Sequence, residues 1–183
     1  MNEYYEYWAK MRDRPYCYPE RMEGCKDYAF AIPTRQALKR IAFHSKNIVE
    51  IGAGTGYWAK LLTERGVIVH AYDTKAGGTS FYGQKVGKYY YVQSGEEDRI
   101  LDHPDSDLML IWPPYDARMA EVCLDHWEAG GGKYLFYVGE GDGGCTGTDA
   151  FHERLAYLDL VERLALPQWD GIHDALYIYR RKE

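Results

Sequence analysis

The chain has 183 residues, 46% of them hydrophobic, with a formal charge of −6 and an isoelectric point near 5.5. That length and apolar content suffice for one hydrophobic core without disulfides or a metal, so a single domain over 1–183 is expected. The acidic balance argues against a broad grip on nucleic-acid backbones, which needs a basic face to displace counterions.

Residues 1–30 are crowded with aromatic side chains: Tyr4, Tyr5, Tyr7, Trp8, Tyr16, Tyr18 and Tyr28. Two readings of this arm stand side by side, a lid over a ligand and an amphipathic helix that covers the core. A helix is expected over 33–44, because Pro33 suits a first turn and Ala37, Leu38, Ile41 and Ala42 recur at helical spacing. From 46 onward apolar strands and helical patterns alternate: strand 48–51, helix 56–65, strand 67–72, strand 89–92, strand 108–112, helix 119–128, strand 133–138 and helix 149–158. Strands at 160–166 and 176–179 close the chain, with too few residues between them for a helix, so they are expected to pair antiparallel at the sheet edge. Such alternation predicts an α/β fold, a mostly parallel sheet with helices on both faces. Residues 1–45 then form an aromatic arm and helix, and 46–183 the core that carries the ligand site.

Cys17, Cys25, Cys123 and Cys145 make no C-x-x-C pair, which fits reduced cytosolic thiols and no zinc site. No apolar run approaches the roughly 20 residues of a membrane span, and residues 1–12 are polar and aromatic instead of resembling an export signal. A cytoplasmic protein without membrane contact is therefore expected.

The string from Val49 to Trp58, V-E-I-G-A-G-T-G-Y-W, is a strand, a glycine turn and a helix start, a geometry that lets backbone approach a nucleoside. A dinucleotide fingerprint would place its third glycine at position 57, where Tyr57 stands. At the end of the next strand comes Asp73, a carboxylate able to accept from both hydroxyls of a ribose. The pattern E-x-G-x-G-x-G at Glu50–Gly56 resembles motif I of class I S-adenosylmethionine-dependent methyltransferases. The resemblance runs from about Asn47 to the C-terminus and implies a Rossmann-like, seven-stranded, mostly parallel sheet with an antiparallel C-terminal hairpin. It also implies S-adenosyl-L-methionine as cofactor, met by Glu50, Gly52, Ala53, Gly54, Gly56, Tyr57 and Trp58, with Asp73 on the sugar. By position in that fold, Ser94 and Gly95 flank the adenine, although Ser94 suits the cap of an ordinary helix as well.

Trp112-Pro113-Pro114-Tyr115 follows the fourth strand of the sheet and, at a strand's carboxyl end, is expected to face the methyl group. The string is similar to the [D/N/S]-P-P-[Y/F/W] motif of amino-group methyltransferases, in which the first side chain and a proline carbonyl accept from the target amine. Here Trp112 stands in place of the acceptor, so methylation of a nucleobase amine does not carry over. The aromatic pair Trp112 and Tyr115 suits a planar or cationic group instead. Together with 139–147 and 169–174, the string is similar to a small bacterial group that shares W-P-P-Y, a likeness that names no acceptor. Within those two loops Glu140, Asp142 and His173 are candidates to bind the acceptor or take its proton, with Tyr115 beside them. The leading expectation is methyl transfer to N, O or S of a small-molecule acceptor. A nucleic-acid base enzyme, a non-catalytic cofactor-binding protein and a nicotinamide-dependent oxidoreductase are the alternatives.

Overall fold

The computed structural model describes residues 2–14 and 17–182; Tyr16 of the aromatic arm lies outside the described residues. Seven strands form one sheet in the order β3-β2-β1-β4-β5-β7-β6. They are β1 (Asn47–Ile51), β2 (Ile68–Asp73), β3 (Gln93–Ser94), β4 (Asp107–Ile111), β5 (Tyr134–Gly139), β6 (Asp159–Ala165) and β7 (Ala175–Arg180). β3, β2, β1, β4 and β5 pair in parallel, whereas β7 runs antiparallel to both β5 and β6. The closing pair is thus the antiparallel hairpin that the short 167–174 segment implies.

The sheet is covered on both faces, which is why β4 reads as a nearly continuous apolar run. Alternate side chains of one strand enter opposite cores: Met109 joins Ile48, Phe136 and Ile178, while Leu108 and Leu110 join Val49, Ile51 and Leu135. Over the first face lie α1 (Glu3–Met11), α3 (Arg35–His44) and α4 (Tyr57–Thr63), with α2 (Tyr18–Asp27) packed against α1. The second face is covered by α5 (Met119–Glu128), through Ala120, Cys123, Leu124 and Trp127, and α6 (Asp149–Leu155), through Phe151 and Leu155.

Local chemistry sets the helix boundaries. Asn2 accepts from the Tyr5 amide at the start of α1, and Tyr4 and Trp8, four residues apart, are buried. α3 begins at Arg35 rather than at Pro33, because Thr34 caps it by accepting from the Ala37 amide at 3.0 Å. The helix expected over 149–158 ends at Leu155. No described helix is long and apolar enough to cross a membrane.

The strand expected over 89–92 does not form; β3 comprises only Gln93 and Ser94, paired with Tyr72 and Asp73. The run Tyr89 to Val92 has the composition of a strand, but its polar groups find other partners. The Tyr89 amide donates to the Thr55 carbonyl and the Tyr90 hydroxyl to the Val69 carbonyl. Ser94 therefore ends a strand and caps nothing; the next element is a short 3-10 helix, Glu97–Asp102, preceded by Glu96.

Gly132 joins α5 to β5 where no side chain fits. A Cβ there would lie 2.1 Å from the Ser106 carbonyl oxygen and 2.5 Å from Trp127 Nε1. Gly132→Ala is expected to destabilise by about 2–3 kcal/mol, lowering Tm by about 5–10 °C. A thermal melt shifted by less than about 2 °C would show that this turn gives way freely.

Candidate functional site

β1 and β4 lie side by side, and their connections leave in opposite directions along the sheet. A crevice opens at such a switch point, beyond the carboxyl ends of the strands. Its cavity volume is about 90 Å³. Glu50 lies at its floor, with Gly52, Ala53, Gly54, Tyr57, Trp58, Asp73 and Trp112 around it; Ile111, Thr55, Gln84 and Tyr28 to Phe30 complete the walls.

The glycine turn is left-handed at three places, with φ of 74° at Gly52, 54° at Gly54 and 74° at Gly56. All three conformations are strained for other residues. Four of its five amides are spent inside the protein: Gly52 and Ala53 donate to the Tyr72 carbonyl, Gly54 to Asp73 Oδ2 at 3.0 Å, and Gly56 to the Ala53 carbonyl. A diphosphate needs several free amides of this kind, so the turn is a poor nest for one. Gly56 does not line the crevice; a Cβ on it would meet Tyr90 Cβ at 2.8 Å.

Glu50 is 2% exposed, and its Oε2 has no hydrogen-bond partner among the described residues. Burial, and then the negative charge of Asp73, push its carboxyl up to about 8. A buried acid facing a cavity without a partner is suited to a cationic ligand, whose charge would bring the proton off. Asp73 accepts from the Gly54 amide on one oxygen and from the Lys75 amide on the other. A carboxylate has about four acceptor positions, so it can serve a sugar's hydroxyls as well.

On the opposite wall Trp112 has φ of 53°, the one non-glycine residue with positive φ among those described. Such a conformation in a bulky residue costs about 1–3 kcal/mol and persists only where surroundings enforce it. Its amide donates to the Val138 carbonyl at 2.8 Å and its Nε1 to Asp174 Oδ1 at 2.7 Å. Phe30 stacks on the ring, with centroids 5.2 Å apart and planes at 17°, and the Arg21 guanidinium lies 5.4 Å from the ring centroid. Burial pushes the Asp174 carboxyl up to about 7; the Trp112 bond pulls it down, Glu140 adds to the rise and Arg21 opposes it.

Other sequence candidates lie outside the crevice. Ser94 is exposed, and Gly95 faces Arg99 and Tyr72, so neither lines it. Tyr115 is 62% exposed and also outside the lining. Pro113 is buried, and its carbonyl, expected to point at an acceptor, takes the Gly147 amide at 2.9 Å; Pro114 bridges to Thr146. Glu140 has both oxygens engaged, one by the Cys145 amide at 2.9 Å and one by the His173 amide at 3.1 Å. Burial pushes its carboxyl up, but those donated bonds outweigh burial and hold it below the usual range. Asp142 and His173 are exposed. Three side chains that matter carry no local motif: Phe30, Gln84 and Asp174. The only signal was the place of Asp174 beside His173 in an aromatic, glycine-containing loop.

No protein-family model matches the chain, and no curated protein does. Solved structures do match in shape. A Synechocystis magnesium protoporphyrin IX methyltransferase with bound S-adenosylmethionine superposes with a TM-score of 0.54 at 10% identity, over 99% of this chain and 92% of that one. A Burkholderia thailandensis 1,6-didemethyltoxoflavin-N1-methyltransferase with bound S-adenosylhomocysteine gives 0.52 at 15% identity, over 81% and 78%. A Thermoplasma acidophilum protein gives 0.53 at 11% identity, over 100% and 99%. The fold is that of the Rossmann-like methyltransferases.

Proposed function

We propose that this chain is an S-adenosylmethionine-dependent methyltransferase that acts on N, O or S of a small-molecule acceptor. The observation that carries this reading is the unpartnered, buried carboxyl of Glu50 beneath a glycine turn most of whose amides are already spent. That combination favours a cation and works against a dinucleotide's diphosphate. Asp73, with acceptor positions to spare, is assigned to the ribose hydroxyls, and Gly52, Ala53 and Gly54 to close backbone approach. Tyr57 and Trp58 hold the wall behind them: the Tyr4 amide donates to the Tyr57 hydroxyl, and Trp58 Nε1 donates to the Ala31 carbonyl.

When bound, the cofactor supplies a methyl carbon already activated by a positive sulfur, so the protein's task is chiefly alignment. Trp112, fixed by Asp174 and covered by Phe30, bounds the side from which an acceptor's lone pair approaches. Glu140, with both oxygens bound by amides of 145 and 173, ties two loops together instead of taking a proton. The formal charge of −6 and the Trp112 substitution both favour a small acceptor over a nucleic-acid base.

Calorimetry with S-adenosylhomocysteine and with NAD tests the reading. Only the former is expected to bind, and Asp73→Ala is expected to weaken it by about tenfold, the worth of one or two hydrogen bonds. Heat from NAD and none from S-adenosylhomocysteine would overturn the assignment. Tritium-labelled donor incubated with cell extract, with DNA and RNA as separate arms, then identifies the acceptor.

A further inference from the structure

We infer that the acceptor is a planar aromatic molecule bearing an anionic group, received along a row of rings formed by Phe81, Tyr82, Phe30 and Trp112 with Arg21 at its inner end. The inference rests on the methyltransferase reading for the word acceptor; the binding surface stands on its own geometry.

Between β2 and β3 the chain makes a small hairpin, bridged at Thr79 and Lys85 and closed by the Gly83 amide donating to the Ser80 carbonyl. Gln84 bolts it to the site. It is buried, donates from Nε2 to the Cys25 carbonyl at 2.8 Å, and lines the crevice. At the anchored tip Phe81 is 94% exposed and Tyr82 55% exposed. Leaving a phenylalanine in water forgoes about 1.5–3 kcal/mol of burial, so two adjacent aromatics presented this way suit a ligand surface better than a plain turn.

The rings are continuous from tip to crevice. Phe81 meets Tyr82 edge-on at 5.3 Å, Tyr82 meets Phe30 edge-on at 5.0 Å, and Phe30 stacks on Trp112 at 5.2 Å. Phe81 and Tyr82 are the rings left open to an incoming flat molecule, while Phe30 and Trp112 face each other behind them. The row therefore leads from solvent to Trp112 at the crevice wall.

Charge sets the sign of the ligand. Arg21 lies against Trp112, its Nε is buried without a partner, and among the described residues no carboxylate approaches its guanidinium within 4.0 Å. The nearby acids are already engaged, Asp174 by Trp112 Nε1 and Glu140 by two amides. Lys26 packs against Gly83 at the hairpin, and Lys85 is exposed on it. A cationic ring would meet Arg21 at the end of the row, whereas an anionic one gains a charge-assisted bond there.

Three probes of one shape decide this by calorimetry on the full chain: 1-naphthoate, the neutral 1-naphthamide and the cationic 1-naphthylmethylammonium. 1-Naphthoate is expected to bind most tightly. Arg21→Gln and Phe30→Ala are each expected to weaken it by about tenfold, and Phe81→Ser by about threefold; Arg21→Gln and Phe81→Ser, at positions outside the crevice lining, are expected to change S-adenosylhomocysteine affinity by no more than about twofold. Phe81, being exposed, can be replaced without endangering the fold. Equal or tighter binding of the ammonium probe, naphthoate affinity unmoved in Arg21→Gln or Phe81→Ser, or preference for a single-stranded oligonucleotide would each overturn the inference. Naphthoate binding without S-adenosylhomocysteine binding would instead sink the methyltransferase reading and leave the aromatic surface standing.

Discussion

Glu50→Gln is expected to stabilise the ligand-free protein at pH 8 by about 4 kcal/mol, raising Tm by about 10 °C, while weakening S-adenosylmethionine binding. In the fold the Glu50 carboxyl titrates at about 8, against an ordinary 4.5. Between those values the folded chain keeps a proton that the unfolded chain has lost, so stability is full below about 4.5 and declines as pH rises toward 8. A glutamine stands in for the neutral acid, so the variant should match the parent near pH 4.5 and exceed it above. Asp174, raised to about 7 from 3.8, contributes a slope of the same sign that persists in the variant. Cofactor affinity should behave oppositely, rising with pH in the parent as Glu50 ionises and losing most of that rise in Glu50→Gln. Melting curves from pH 4.5 to 8.5 with and without S-adenosylmethionine check both halves. Parallel curves for parent and variant would mean that Glu50 is ionised in the free protein.

Trp112→Phe is expected to lower turnover at least about 100-fold, the usual result of a small misplacement at a reacting centre, and to change S-adenosylhomocysteine affinity by only a few-fold. The phenyl ring preserves stacking on Phe30 but has no N–H for Asp174. Two replacements of Asp174 separate position from charge. Asp174→Asn keeps a carbonyl for the indole N–H and is expected to retain most turnover, whereas Asp174→Ala is expected to resemble Trp112→Phe. Equal loss in both would show that the carboxylate itself handles a proton during transfer. Initial rates across pH 6 to 8.5 distinguish these outcomes, because a role of the carboxylate's proton would impose an inflection near 7.

The sheet was readable from the chain because its signals are local. β1, β4 and β5 are short apolar runs with β-branched and aromatic residues, and the turn from Gly52 to Gly56 needs glycine for its φ angles. Asp73 ends β2 and lines the crevice, a position that strand order alone predicts. The Trp112 side of the crevice was less readable, since its partners are distant in sequence. Trp112 meets Asp174 62 positions away, and the Pro113 carbonyl is consumed by Gly147, which no spacing rule reveals. Tyr89 to Val92 misled in the other direction: a strand-like composition was satisfied by tertiary contacts to Thr55 and Val69. Glu140 illustrates a third limit. A carboxylate in a glycine-rich loop invites a catalytic reading, yet two backbone donors give it a structural occupation.

The first helix is closed over by the last loop. Trp8 Nε1 donates to the Gln168 carbonyl, 160 positions away, and Trp169 Nε1 donates to the Tyr4 hydroxyl, 165 positions away. Tyr4 also stacks on Tyr28 and meets Tyr57, so part of its cover comes from nearer in the sequence, while the rest arrives only with Gln168 and Trp169. Closing so large a loop is slow, and exposed aromatics in the interval invite association with other nascent chains. This seam is therefore expected to close later than the sheet, and a holdase or a lower temperature during refolding is expected to raise the recovered fraction.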